Sequence, residues 1–192
     1  MENWLQWIPG LLLGVALSAG SGFRIFIPLL VSNLAAKFGL VSLSENFAWM
    51  ASNQATMILV VATFAEIGGY YITFIDNILD SIALPASVVA GTLLTTQFLK
   101  IDDPVLQWGL GLLAGGGVAG TIQSGTTLLR LGSTKFTAGF GNPFFSTIEN
   151  LLSAFISLIS IWIPLLMGVL AVLFVVWILK KLFSIKKRKL SH

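Results

Sequence analysis

Cysteine is missing from all 192 residues, and histidine occurs once, as the last residue, His192. The first absence excludes disulfides, thiolate nucleophiles and Cys-ligated metals. The second removes imidazole zinc sites and catalytic triads. Charge is scarce as well. Asp, Glu, Lys and Arg make up 10% of the chain, against roughly 25% in an ordinary soluble domain. With 56% of the residues hydrophobic, so few ions cannot cover a surface facing water. The solvent is therefore lipid.

A spanning helix takes about 20 apolar residues, which leaves room for about six or seven spans and none for a soluble domain. The expectation is an all-α, polytopic membrane bundle, with one embedded domain over 1–183 and a basic cytoplasmic tail over 184–192. No enzyme activity, resident metal or cofactor is expected. The one remaining route to hydrolysis is a metal held by paired carboxylates, which stays the weakest class.

The basic residues that are present cluster. Six of eleven lie in the last thirteen positions, Lys180, Lys181, Lys186, Lys187, Arg188 and Lys189. Such a run anchors a terminus on the cytoplasmic side of the cell (inner) membrane and attracts anionic headgroups. It lacks the aromatic residues that a nucleic-acid arm would use for stacking, so no nucleic-acid partner is expected. At the other end, the apolar run 8–19 follows Glu2 rather than Lys or Arg. That is the wrong sign for a secretory leader, and the run reads as a first helix.

Trp4 and Trp7 are interfacial anchors ahead of this helix, roughly 5–19. Gly20-Ser21-Gly22 breaks it, and a second helix, roughly 23–38, carries Arg24 in its first turn. Such a broken pair resembles the discontinuous helices of transporters. A polar connection, 39–54, leads to a third helix, 55–73, containing Glu66. Asp76-Asn77-Ile78-Leu79-Asp80 then turns the chain into a fourth, 82–99, with Pro85 near its start. Asp103-Pro104 caps a fifth, 104–130. Its Gly111-x-x-x-Gly115 and Gly116-x-x-x-Gly120 pairs favour close helix packing, and homo-oligomers through such faces are expected.

Residues 131–143, with Gly141 and Pro143, read as a loop. The apolar stretch 144–183 is too long for one straight crossing and kinks or turns at Pro164. Within it Ser146, Glu149, Asn150, Ser153, Ser157 and Ser160 recur at helical spacing, a stripe facing other helices. A faint repeat places Gly14-Val15-Ala16 with Ser21-Gly22, and Gly117-Val118-Ala119 with Ser124-Gly125, at an offset of 103, each ahead of an arginine.

Charges in lipid are costly and need a partner or a task. If the first two helices form a hairpin, Arg24, Asp76–Asp80 and 131–143 share one membrane side. Three readings stay open for this constellation. Arg24 or Arg130 can pair structurally with Asp76, Asp80 or Glu149. The arginine forks, aided by helix N-termini near Gly22 and Pro143, can recognise phosphate or carboxylate. Glu66, about 15 Å deeper than Asp76 on a straight helix, can handle protons or a hard cation. Asp76 and Asp80, four residues apart, share a helix face and repel unless a cation or arginine lies between them.

In order along the chain come Ser21-Gly22-Phe23-Arg24-Ile25-Phe26-Ile27-Pro28-Leu29-Leu30, Phe47-Ala48-Trp49, Glu66 leading to Asp76-Asn77-Ile78-Leu79-Asp80, Arg130-Leu131-Gly132-Ser133-Thr134, and Gly141-Asn142-Pro143 through Ser146-Thr147-Ile148-Glu149. Together, over about 10–150, they resemble an uncharacterised prokaryotic integral membrane family, domain-of-unknown-function family 4126. The resemblance implies no established activity. It supports Arg24, Glu66, Asp76, Asp80, Arg130, Asn142 and Glu149, with Ser133 and Thr134 beside them, as substrate- or ion-binding candidates, and Gly20, Gly22, Gly141, Pro143 and Pro164 as helix breaks. Where the family pattern reads Asp-Lys-Ile-Pro after the glutamate, this chain has Tyr70-Tyr71-Ile72-Thr73. The leading expectation is a small transporter or channel-like protein binding an anionic or lipid-phosphate group coupled to protons or cations. The alternative is a scaffold or lipid-interacting assembly factor held by structural ion pairs, with membrane lipids as its partners.

Overall fold

The computed structural model describes residues 7–137 and 142–190. Their regular structure is helical: α1 (Ile8–Ser21), α2 (Phe26–Lys37), α3 (Asn53–Gly69), α4 (Thr73–Thr96), α5 (Pro104–Leu110), α6 (Gly117–Thr137), α7 (Asn142–Trp162) and α8 (Pro164–Leu190). A 3-10 segment, Glu45–Ala51, precedes α3, and a π-helical segment, Gly111–Gly116, joins α5 to α6. Among the described residues, four stretches are long and apolar enough to cross a bilayer: Phe74–Thr96, Pro104–Arg130, Asn142–Trp162 and Pro164–Lys181. Glu45–Ala51 and Asn53–Gly69, bent by 61° at their junction, make a fifth if taken as one. The chain is thus a membrane-type helical bundle whose outer faces carry Phe64, Leu113, Phe155, Trp162 and other exposed apolar side chains.

Helices α1 and α2 are shorter and form a hairpin. At one end of the bundle, Gly10 of α1 lies against Phe98. The chain leaving α2 returns to the same place, where the Ser44 amide donates to the Gln97 carbonyl and Lys100 donates to Ser42. The tip, Gly22–Ile25, points to the opposite end. Gly22 is required there, because a Cβ would fall 2.6 Å from the Ile122 side chain of α6.

Around this hairpin, α1 runs antiparallel to α4, with the Ser18 hydroxyl donating 2.8 Å to the Gly91 carbonyl. Helix α7 is also antiparallel to α1: Ser153 donates to the Gly20 carbonyl, and Arg24 reaches Asn150. Helix α8 runs the other way, with Gly168 near Leu12 and Ile178 in a cluster with Ala19 and Ile122. The serine stripe of α7 lies on its inner face, with Ser146, Ser153, Ser157 and Ser160 all fully buried.

Several sequence expectations shift. Helix α3 stops at Gly69, and the reversal is Tyr70–Ile72, not Asp76–Asp80. Paired glycines end α3 early, so Glu66 sits one turn from its end rather than about 15 Å deeper than the turn. Helix α4 starts at Thr73, so Asp76 and Asp80 occupy its first turns and Pro85 lies in its interior. Residues 131–137, expected in a loop, continue α6. Pro164 does not kink a continuous helix. It opens α8, after a reversal at Ile163, as a residue without an amide hydrogen suits a first turn. The internal repeat yields no second break, since α6 runs unbroken past Gly125 and Arg130.

Glycine decides the tightest contact. Gly91 of α4 meets the π segment at Gly115, and a Cβ on Gly91 would stand 2.6 Å from that of Ala119. Gly111 and Gly116 pack on Thr96 and Thr92 in the same seam. These glycines serve packing within the chain, whereas a Cβ on Gly109 or Gly117 meets nothing within 4 Å. We expect Gly91→Leu to lower stability by about 1–3 kcal/mol or more through overpacking. Gly117→Ala should be neutral or stabilise by about 0.5–1 kcal/mol through helix propensity. Denaturant unfolding of the two variants in detergent checks both.

Candidate functional site

The backbone between α1 and α2 leaves helical geometry inside the bundle, so the first amides of α2 need an acceptor. Its N-cap residue, Ile25, has no side chain able to supply one. Glu66 does so from α3. Its Oε1 accepts from the Ile25 amide at 2.8 Å and its Oε2 from the Phe26 amide at 2.9 Å. Both carboxylate oxygens are thus spent on the hairpin, and the negative charge faces the positive end of a helix dipole. A carboxylate that looked isolated in the sequence is a tertiary helix cap.

Arg24, in the tip just before α2, is 2% exposed. Its Nε donates to Asn150 Oδ1 at 2.6 Å, its Nη1 to the Phe23 carbonyl at 3.2 Å, and its Nη2 to the Ser146 carbonyl at 3.3 Å. Nη1 also pairs with Glu149 Oε2 at 3.0 Å. Arg130, from the second half of α6, reaches between the two aspartates of α4. Its Nη2 donates 2.8 Å to Asp76 Oδ1 and 2.9 Å to Ser146 Oγ, and its Nη1 pairs with Asp80. One guanidinium therefore offsets the repulsion that the four-residue spacing of these aspartates creates. Glu149 Oε2 lies 3.9 Å from Arg130 Nε as well, so this carboxylate stands between both arginines.

Two further contacts complete the hub. Asn142, the first residue of α7, donates through Nδ2 to Asp76 Oδ2 at 3.0 Å. The Tyr70 ring, in the α3–α4 turn, lies 3.7 Å from the Arg24 guanidinium carbon and 4.8 Å from that of Arg130. Burial pushes the Tyr70 phenol above its ordinary range, so the ring stays neutral. Its π face attracts both cations.

The structure thus brings Arg24, Glu66, Asp76, Asp80, Arg130, Asn142 and Glu149 to one end of the bundle. Four carboxylates surround two guanidiniums there. Pro143 follows Asn142 in the first turn of α7, Gly22 forms the tip, and Gly20 accepts from Ser153. Pro164 lies elsewhere, beside Trp7 and Pro9 at the far end. Ser133 and Thr134 fall on the α6 backbone, with side chains outside the described residues, as is Gly141. Among the described residues, no group of three or more Asp, Glu, His or Cys side chains could hold a metal ion. Sequence reasoning missed Tyr70 and the roles of Asn150 and Ser146 as acceptors. Asn150 and Ser146 did lie on the polar stripe, but nothing local marks Tyr70.

A cavity of about 760 Å³ lies beside this hub, bounded by α3, α4 and the start of α2. Its lining is apolar apart from Glu66 and Tyr70, and it includes Gly68, Ile72, Ile75 and Ile82.

Removing one partner of a buried ion pair strands the other. We expect Arg24→Ala to cost about 3–5 kcal/mol. A combined Arg24→Met and Glu149→Leu variant should recover most of it, because the stranded charge goes too. Thermal or denaturant unfolding of the single and double variants measures the difference.

No curated protein and no solved structure matches the chain. A family model does, over residues 11–183, and its description is "Domain of unknown function (DUF4126)". A match of that extent, on a chain with this helical membrane-type architecture, makes the protein a member of the DUF4126 family.

Proposed function

We propose that the protein is a small carrier or channel-like membrane protein that moves protons or cations, coupled to an anionic or lipid-phosphate solute. The observation that carries this reading is the α1–α2 hairpin, whose tip sits in the charge hub and is held there by Glu66. Short broken helices that end inside a bundle are a recurring way to present backbone groups and ionisable side chains to a solute. Ionisable groups within membrane segments commonly mark ion pathways.

In this picture α1–α2 enters and leaves at one membrane face, and the remaining segments cross. Of the six or seven helices expected, five are full crossings and two form the inserted hairpin. The basic C-terminal end is cytoplasmic in the cell membrane. The hub lies on that same side, and the protein binds and moves its solute without performing chemistry on it. Asp76 and Asp80 exchange the coupled cation or proton, and Glu66 holds the hairpin tip beside them. Arg24 and Arg130 hold internal carboxylates until an anionic group displaces Glu149 from between them.

A second reading is favoured by one specific observation: Nε, Nη1 and Nη2 of Arg24 all have acceptors within the protein. A scaffold or lipid-interacting assembly factor would use the hub only to clamp its helices. Proteoliposomes separate the two. We expect wild-type protein to dissipate an imposed proton or cation gradient, and Glu66→Gln and Asp80→Asn to fall to the protein-free rate. Equal fluxes in wild type, both variants and empty vesicles would remove the carrier reading. The clamp reading instead predicts that the charge swap Arg130→Asp with Asp80→Arg restores the abundance lost in Arg130→Asp.

A further inference from the structure

The groove between α3 and α4 was not among the features that the charges or the motifs pointed to. Helix α3 ends in Gly68-Gly69, and α4 leaves the turn with Ile75, Leu79 and Ile82 on the facing side. Gly69 packs closely, with a built Cβ 2.9 Å from Leu79, whereas a Cβ on Gly68 would meet nothing within 4 Å. The two helices therefore touch at the turn and separate beyond it, leaving the cavity of about 760 Å³. Exposed Phe64, Ile72 and Ile82 stand along its rim, so it opens sideways from the bundle rather than into its centre.

The dimensions of this groove indicate its occupant. Its wall on α4 runs from Ile75 to Ala86, about 16 Å at 1.5 Å per residue. Half of the hydrocarbon core, the depth one acyl chain occupies, is about 15 Å. The groove begins at the chain reversal Tyr70–Ile72, where a span ends, and its lining reaches Ala62 on α3 and Ala86 on α4. It is one leaflet long, apolar along its walls, and open to the bilayer. At its inner side it meets Glu66, whose carboxylate oxygens are both taken by backbone amides, and Tyr70, whose ring is covered by two guanidiniums. Glu66 is satisfied by the protein, and apart from the Tyr70 phenol the walls offer an occupant only hydrocarbon contact.

From this we infer that the α3–α4 groove is a lipid site holding one acyl chain of a glycerophospholipid from the leaflet on the hub's side, seated against the Glu66 cap. The chain keeps water from Glu66 and fills the gap that Gly68 leaves between the two helices. This site stands apart from the flux reading above, since a clamp as well as a carrier can hold a lipid.

The test uses the full chain in phosphatidylethanolamine/phosphatidylglycerol vesicles that contain phosphatidylethanolamine with a diazirine at the end of one acyl chain. After photolysis and proteolysis, label should concentrate on residues 62–69 and 79–86, above the level on the outer face of α8 around Leu165 and Leu173. Gly68→Trp, whose side chain enters open space, should remove the groove label and leave the α8 label unchanged. Ala65→Phe, on the same wall, is the second variant should Gly68→Trp fail to fold. Groove labelling equal to that of α8 and unaffected by a folded plug variant would mean ordinary annular lipid, and the inference would be wrong. Because the chain has no cysteine, Ala65→Cys gives a clean check for a second copy. Efficient disulfide dimerisation in the vesicles would place protein there and equally overturn the lipid site. Neither readout depends on flux, so the lipid site and the carrier reading can fail separately.

Discussion

In a lipid-facing bundle an interrupted helix has no water to receive its free amides, and an unpaired one costs several kcal/mol. The tip of the α1–α2 hairpin meets that constraint through Glu66, which accepts from Ile25 and Phe26 together. Much of the surrounding arrangement follows. Glu66 must lie at the level of the tip, which fixes the end of α3 and the turn after it. The turn carries Tyr70 under Arg24, and Arg24 in turn selects the face of α7 that bears Ser146, Glu149 and Asn150. Arg130 then binds the start of α4 to the same place through Asp76 and Asp80.

The remainder of the bundle is held in a different way. Its central seam is short-range and uncharged, built from Ser18, Thr92, Thr95 and Thr96 against Gly91, Gly111 and Gly115. Small residues let backbones approach closely, which matters where lipid removes the hydrophobic drive between helices. The molecule thus has an ionic end and a close-packed seam, and α1 belongs to both. The π-helical segment lies in this seam, where a run of glycines and alanine leaves room for the wider turn.

The sequence made the polar positions legible because lipid penalises charge so heavily that each ion stands out. It also made the helical class and the Asp103 cap legible. Asp103 indeed accepts from Val105 and Leu106. Pairing was not legible. Arg24 and Asn150 are 126 residues apart, and Arg130 and Asp80 are 50 apart. Only tertiary packing joins them. The α3–α4 boundary was misread for a related reason. Two aspartates beside an asparagine look like a turn, yet a distant arginine makes that stretch a stable first turn of helix. The capping role of Glu66 was not legible because its donors are backbone amides, which leave no mark in composition. Tyr70 stood out only as part of a departure from the family pattern, and an aromatic residue after two glycines does not reveal that two guanidiniums will lie on its ring.

The chain order of the hub has a consequence for biosynthesis. Arg24 is made long before Asn150, Ser146 and Glu149, and Ile25 and Phe26 before Glu66. The α1–α2 segment is therefore made well before the companions that hold its tip. Until α3 and α7 have been delivered, the α1–α2 tip has neither a carboxylate for its amides nor an anion for its guanidinium. Its seating is a late event of maturation, and the α1–α2 hairpin waits at the membrane surface or in the insertion machinery for those helices.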